Sequence, residues 1–344
     1  MPVRTAPLQE GASIRDVAAA AGVSAATVSR VVNGSPQVAA QTRARVEEAM
    51  ERLGYRPNLA AKALAGGSTG AVGLLVPSIA NPFYGALAEG VDDMAGELGY
   101  HVFISHVASP EAERAALSSL VSRRVDGILM AAAQASDELL GPMVASGLPV
   151  VLLAREVPGL DVSCIVNDDF AGSREVTRHL AELGHRRIGL VAEPLSYFSA
   201  QERRRGFRAA LDELGLEPAI EVEAAAGSIA AARAAAEGIL SSHGRPTAVL
   251  AQNDLMAIGV LQACRERGLR VPEDLSLAGY DGTLLAEVVQ PRLTTVEQPV
   301  RDIGRLAVEL LHQLRTSRIK SPRKLVLQPT LRLGESTAPP ARGD

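Results

Sequence analysis

Ser13-Ile14-Arg15-Asp16-Val17-Ala18-Ala19-Ala20-Ala21-Gly22-Val23-Ser24-Ala25-Ala26-Thr27-Val28-Ser29-Arg30-Val31-Val32-Asn33 reads as two short helices around a glycine turn. Ser13 and Asp16 have the spacing of a capping box in its acidic form, and Ile14, Val17, Ala18 and Ala21 fall on one face. Gly22 supplies the turn. Ser24 is placed to cap a second helix that buries Val28, Val31 and Val32. That leaves Ala25, Ala26, Thr27, Ser29 and Arg30 on or near the outer face, with Ser24 and Asn33 at its ends. A helix so placed fits the major groove, with hydroxyls for phosphates and an arginine for guanine. Capped helical hairpins are also common without any DNA role, so the pattern needs a second signal.

Charge supplies one. The chain carries a net charge of -4, yet residues 1–66 hold eight Lys/Arg against five acids, which leaves -7 for the rest. A basic head on an acidic body is the asymmetry of a modular DNA binder rather than of a general nucleic-acid coat. A third helix is predicted from Thr42 to Leu53, ended by Gly54 and barred from continuing by Pro57. Asn58 to Ala65 follows with strong helix formers over only eight residues, then the flexible Gly66-Gly67-Ser68-Thr69-Gly70. A helix that short is marginal in water and is expected to form only when DNA and a partner chain hold it. Leu64 is then placed to wedge into a minor-groove base step. A plain linker helix is the alternative.

The run from Ile14 to Ala65 resembles the head and hinge of the LacI/GalR family of bacterial transcription regulators. Asp16-Val17-Ala18, Gly22-Val23-Ser24, Thr27 to Asn33, Thr42-Arg43, Tyr55-Arg56-Pro57-Asn58 and Leu64-Ala65 follow its pattern in register. The resemblance implies DNA contacts from Ser24, Ala25, Ala26, Thr27, Ser29, Arg30, Asn33, Asn58, Leu64 and Ala65. Two departures stand out. Ala39 replaces the serine cap often found before the third helix, and loss of a cap costs about 1 kcal/mol. Ala25 and Ala26 occupy the positions that commonly discriminate bases, and side chains so small make no bidentate hydrogen bonds.

From Ala71 onward apolar strands alternate with helical patterns, which predicts doubly wound parallel sheets, and the length calls for two lobes. Predicted strands are Ala71 to Val76, His101 to Ser105, Gly127 to Ala131, Val150 to Leu153, Cys164 to Val166, Ile188 to Val191, Ala248 to Ala251 and Leu275 to Ala278. Helices are predicted between them, among others Phe83 to Leu98, Glu175 to Leu183 and Leu255 to Arg267. Ligands in such folds sit beyond the carboxyl ends of the strands. There the sequence places Phe83, Tyr84, Tyr197, Phe198 and Tyr280, half of its ten aromatics, beside Arg203, Asn253 and Asp281. Aromatic faces with Arg, Asn and Asp suit a small polar ring such as a sugar or a base. Blander roles compete: Asp254 as a helix cap, Phe83 and Phe207 as core, and an ion pair between Arg203 and Asp281.

The family resemblance continues to about residue 334 through Asn81-Pro82-Phe83-Tyr84, Gly184-His185-Arg186-Arg187-Ile188, Asn253-Asp254, Gly279-Tyr280-Asp281 and Gln298-Pro299. It implies a two-lobed body akin to periplasmic sugar-binding proteins, used for effector binding and dimerisation. Arg203, Asn253 and Asp281 match its principal polar effector contacts, with Phe83, Tyr84, Ser199 and Gln298 nearby. Sugar-binding members usually place Asp before Arg at one strand end, where this chain has Ala154-Arg155. That departure weakens the case for a simple hexose.

The expected organisation is a 1–12 tail, a helix-turn-helix head at 13–57, a hinge helix and linker at 58–70, the two-lobed body at 71–334 and a tail at 335–344. That tail lacks leucine heptads, so no coiled-coil tetramer is expected. Met1 to Glu10 holds no apolar run of signal length, and no stretch approaches the roughly 18 apolar residues of a membrane span, so a cytoplasmic chain is expected. Cys164 and Cys264 lack CxxC spacing and read as buried thiols. No metal-ligand spacing, phosphate loop or nucleophile elbow occurs, so neither a cofactor nor an enzyme is expected. Three classes compete: an allosteric repressor, a solute-binding protein and a sugar-processing enzyme. The repressor is favoured, since a solute carrier explains only the body and an enzyme lacks an acid, base or nucleophile set. The expected form is a homodimer on a roughly palindromic double-stranded DNA operator, controlled by a small-molecule effector.

Overall fold

The computed structural model of the chain describes residues 12–32, 35–55, 68–131, 137–157, 159–241, 244–319 and 321–341. Two compact units result, Met1–Thr69 and Gly70–Asp344. Asn33, Asn58, Leu64 and Ala65, and with them the expected hinge helix, lie outside the described residues.

The first unit holds α1 (Ile14–Ala21), α2 (Ala25–Val32) and α3 (Ala40–Leu53). Its capping box forms as read: the Asp16 amide donates to Ser13 Oγ at 3.4 Å and the Ser13 amide to Asp16 Oδ2 at 2.8 Å. Gly22 takes φ 65°, the left-handed turn that a side chain would strain, and its amide returns to the carbonyls of Ala18 and Ala19. Val17, Val28 and Val46, one from each helix, are fully buried, and each such burial contributes about 1.5–3 kcal/mol. Val32 is only half-buried at the margin of this core. α3 begins two residues earlier than read, and its cap Ala39 makes no side-chain bond. Arg43 Nη2 instead donates to the Ser35 carbonyl at 2.7 Å and ties the helix to the preceding turn.

The second unit has two lobes. In the first, β1 (Ala71–Val76), β2 (His101–His106), β3 (Gly127–Met130), β4 (Val150–Leu153), β5 (Ser163–Asn167) and β11 (Lys324–Leu327) form a parallel sheet in the order β11-β5-β4-β3-β1-β2. α4 (Pro82–Glu97) and α12 (Val300–Arg315) cover one face through Leu87, Val91, Ile303 and Leu311. α5 (Pro110–Ser122) and α6 (Asp137–Ala145) cover the other. In the second lobe, β6 (Ile188–Ala192), β7 (Ile220–Glu223), β8 (Ala248–Ala251), β9 (Ser276–Asp281), β10 (Thr294–Glu297) and β12 (Thr330–Arg332) run β12-β10-β9-β8-β6-β7, with β12 antiparallel to β10. α7 (Asp169–Glu182) and α8 (Phe198–Glu213) pack on one face, α9 (Ile229–Ser241) and α10 (Asp254–Glu266) on the other. α11 (Leu284–Val288) follows β9.

The chain passes between lobes after β5, after β10 and after β11. The strands β7, β10, β11 and β12 have no counterpart among those expected from sequence. β9 runs on to Asp281 because Tyr280 and Asp281 pair with Val296 and Glu297. α7 starts at Asp169, six residues before the expected Glu175, because the Asp168 carboxylate accepts the Ala171 amide at 2.9 Å. The expected tail is not free over its first residues. Ser336 is fully buried, its carbonyl accepts the Leu277 amide at 2.8 Å, and its hydroxyl accepts the Thr294 amide at 2.8 Å. Cys164 and Cys264 are free and buried, and burial pushes the Cys264 thiol up to about 11. No helix among the described residues is long and apolar enough to cross a membrane.

Candidate nucleic-acid interface and inter-lobe cleft

α2 turns one side into the head core through Val28 and Val31 and leaves Ser24, Ala25, Ala26 and Arg30 exposed, with Thr27 and Ser29 half-buried. Ser24 Oγ accepts the Thr27 amide at 3.1 Å, so the cap shapes the surface that the sequence marked for DNA. The exposed face combines two methyl side chains, hydroxyls and one guanidinium. Such a face has charge for a phosphate or a guanine edge, and apolar contact for thymine methyls.

The cleft between the lobes lies beyond the carboxyl ends of both sheets. Two cavities of about 330 and 260 Å³ share Tyr84, Glu193 and Tyr197. The larger one adds Ala154, Arg155, Phe198 and Ser199; the smaller adds Asn81, Ser109, Glu113, Gly227 and Ser228. Gly227 leaves room for the Glu193 carboxylate: a Cβ at this position would displace Glu193 Oε1. Ala154 holds φ 55° and Asp281 φ 107°, a left-handed backbone that costs such residues about 1–3 kcal/mol.

Behind Glu193 sits a buried charge cluster. Arg203, 5% exposed, donates Nε to Asp169 Oδ1 at 2.8 Å and Nη1 to the Gln252 carbonyl at 2.5 Å. Its Nη1 lies 3.6 Å from Glu193 Oε2, its Nη2 3.5 Å from Asp281 Oδ1, and its guanidinium stacks 3.9 Å over the Tyr280 ring. Burial works against the Arg203 charge, but Asp169, Asp281 and Glu193 outweigh it and hold the group more firmly protonated. Burial also raises the Glu193 and Asp281 carboxyls against the pull of Arg203. Gln298 Nε2 donates to Asp281 Oδ1 at 2.6 Å, and Asn167 Nδ2 donates to Gln298 Oε1, so the cluster reaches the crossings between lobes.

The seven residues expected to hold an effector therefore separate. Tyr84 and Ser199 line the cleft. Phe83 is 6% exposed in the core of the first lobe, where its ring meets Tyr84 edge-on at 5.1 Å; the core role weighed for it is the one observed. Asp281 and Gln298 line, together with Phe83, a different cavity of about 650 Å³ near the start of α4. Arg203 and Asn253 line none of these cavities and are held from the cleft by Glu193, whose Oε1 accepts Asn253 Nδ2 at 2.8 Å. Arg203 and Asp281 do form the ion pair weighed against a ligand role, with Asp169 as the nearer partner. Asn253 caps α10, accepting the Met256 amide at 2.7 Å. Asp254, the cap weighed from sequence, instead accepts from Thr283 and Thr295, and burial raises its carboxyl to about 6. Glu193, Asp169 and Glu113 were absent from the expected set. Glu193 directly follows β6 and was open to the strand-end rule; Glu113 in a first helical turn looks like any dipole-stabilising acid.

Residues 13–58 match the family model of bacterial regulatory proteins, lacI family, and residues 177–337 match that of a periplasmic binding protein-like domain. The HTH-type transcriptional regulator DegA of Bacillus subtilis (strain 168) is 36% identical over 333 residues, which cover 95% of this chain and 98% of the relative. The lac repressor dimer bound to operator and the anti-inducer ONPF superposes with a TM-score of 0.83 at 32% identity, covering 96% of this chain and 100% of that one. The complex of the transcriptional regulator CelR with cellobiose gives a TM-score of 0.73 at 34% identity, over 94% and 99% of the two chains. With a capped helix-turn-helix head and a two-lobed body matched across nearly its whole length, this chain belongs to the lacI family of bacterial regulatory proteins and is a DNA-binding transcriptional regulator.

Proposed function

We propose that the chain acts in the cytoplasm as a homodimeric repressor whose two heads read a roughly palindromic operator, with half-sites about one helical turn apart. In this reading 13–57 is the head, 58–70 the hinge and 71–334 the effector body. Ser24, Ala25, Ala26, Thr27, Ser29, Arg30, Asn33, Asn58, Leu64 and Ala65 contact DNA. The observation that carries the reading is the exposed hydroxyl, methyl and guanidinium face of α2 in one chain with an inter-lobe cleft. A small polar effector enters against Tyr84 and Ser199, with Arg203, Asn253, Asp281 and Gln298 bracing the wall behind them. The effector then needs only a differential affinity for two lobe poses, typically about 1–3 kcal/mol, to shift operator binding. The solved relatives support the assignment: the lac repressor structure is a dimer bound to operator and the CelR structure a complex with cellobiose.

The test is selection of duplexes from a random library by the purified full chain, followed by footprinting and by titration with a sugar panel. A palindromic consensus and a ligand-dependent change in its affinity are expected. Equal binding of selected and random duplexes sinks the repressor assignment. Leu64→Ala checks the hinge, with loss of specific over non-specific binding expected.

A further inference from the structure

The smaller half of the cleft is lined by two carboxylates, Glu113 and Glu193, and by no Lys or Arg. Glu113 is 2% exposed, and its Oε1 has no hydrogen-bond partner among the described residues. Burial raises the Glu113 carboxyl, against the weaker pull of Arg155 and Arg114, and neither arginine gives that oxygen a donor. A carboxyl buried with an unmet oxygen is costly to ionise, and a cationic ligand that completes its bonding offsets that cost.

The rest of the cavity narrows what that ligand is. Asn81 commits its Oδ1 to the Phe83 amide at 3.0 Å, and Ser109 commits its hydroxyl oxygen to the Ala112 amide at 3.2 Å. Glu193 already accepts Asn253 on Oε1 and faces Arg203 with Oε2. The strongest unused capacity is therefore an acceptor with negative charge. It lies in the same cavity as the rings of Tyr84 and Tyr197, which suit the face of a small saturated ring.

Resting on the reading of this cleft as the effector site, we propose that its smaller half takes a protonated amine carried on a polyhydroxylated ring. Glu113 receives the ammonium, Glu193 contributes the second negative charge, and the tyrosines hold the ring. An ammonium group offers three donors and no acceptor, which fits this pocket; a phosphate or carboxylate would meet two carboxylates in a cavity that neither Arg155 nor Arg203 lines.

The experiment uses the full chain and matched probes: galactose with galactosamine, glucose with glucosamine, the N-acetylated amines, and the 6-phosphates. Binding is read by calorimetry and thermal shift. One free amine is expected to bind about tenfold or more tightly than its parent sugar, and N-acetylation and phosphorylation to abolish the gain. Glu113→Gln is expected to weaken the amine about tenfold and the parent sugar little, while raising the unliganded melting temperature as a buried charge is removed. Parent sugars that bind as tightly as the amines, an amine that binds Glu113→Gln unchanged, or a panel with no binder each overturn the proposal. An amine that binds through Glu113 yet leaves operator affinity unaltered upholds it and overturns the effector reading instead.

Discussion

The face of α2 and the cluster around Arg203 are built on opposite principles. The α2 face is largely exposed, carries the single charge of Arg30 and is drawn from residues adjacent in sequence. The cluster is almost entirely buried, densely charged, and assembled from Asp169, Glu193, Arg203 and Asp281 on separate elements. A surface meant to meet another molecule works with little internal cost, because water serves its polar groups until the partner arrives. A buried charge cluster must satisfy itself from within, so its members answer first to one another and only then to a ligand. Recognition in the head is thus separable from folding. In the body the two are linked.

Removal of the central cation gives the largest test of that contrast. Arg203→Ala leaves Asp169, Asp281 and Glu193 buried without their countercharge, and a loss of about 3–5 kcal/mol in urea unfolding of the body is expected. A variant that stays within about 1 kcal/mol of the parent would show the cluster to be hydrated rather than self-satisfied.

The two regions should also titrate with opposite signs. Asp254 has its carboxyl raised from 3.8 to about 6 by burial, so the folded body binds this proton more tightly than the unfolded chain. Its contribution is most favourable below 3.8 and is lost as pH rises to about 6, a swing of about 3 kcal/mol. Asp16 in the head is lowered instead by its hydrogen bonds to Ser13, so that contribution is present at neutral pH and lost on acidification. Asp254→Asn should flatten the body's stability between pH 4 and pH 6 relative to wild type, roughly as far as the linkage relation requires. An unchanged slope breaks this account.

Arg30→Ala isolates recognition from folding. The exposed guanidinium should cost about 1–3 kcal/mol in operator binding, measured by gel shift at fixed salt, with the melting temperature unmoved. A fall in stability of the same size would erase the distinction drawn here. The smallest effect is a gain. Ala39 caps α3 without a side-chain bond and has an extended ψ of 141°, so Ala39→Ser should stabilise the head by about 0.5–1 kcal/mol in calorimetry. No gain would mean that the Arg43 bond to Ser35 already supplies the anchoring.

Local chemistry was enough for the head. Ser13, Asp16, Gly22 and Ser24 act on amides within a few residues of themselves, and the spacing of Val17, Val28 and Val46 reports burial directly. The central strands of the body were legible for a similar reason: β1, β4 and β8 are apolar at every position and buried on both faces. β7 and β11 escaped because as edge strands they are only half-buried and carry Glu and Lys. β12 is three residues long, and β11 joins β5 only after the chain has built the second lobe and returned.

The sequence by itself determined the helix-turn-helix, the alternation that makes two doubly wound lobes, and the strand ends at which the cleft residues would gather. Only the tertiary structure decided which of those residues face the cleft. Phe83 turned into the core, Arg203 was enclosed by carboxylates, and Glu113 and Glu193 came together from different lobes. Capping and periodicity act between near neighbours and can be read along the chain. Desolvation and charge pairing depend on what the fold brings within a few ångströms, and no local pattern encodes that.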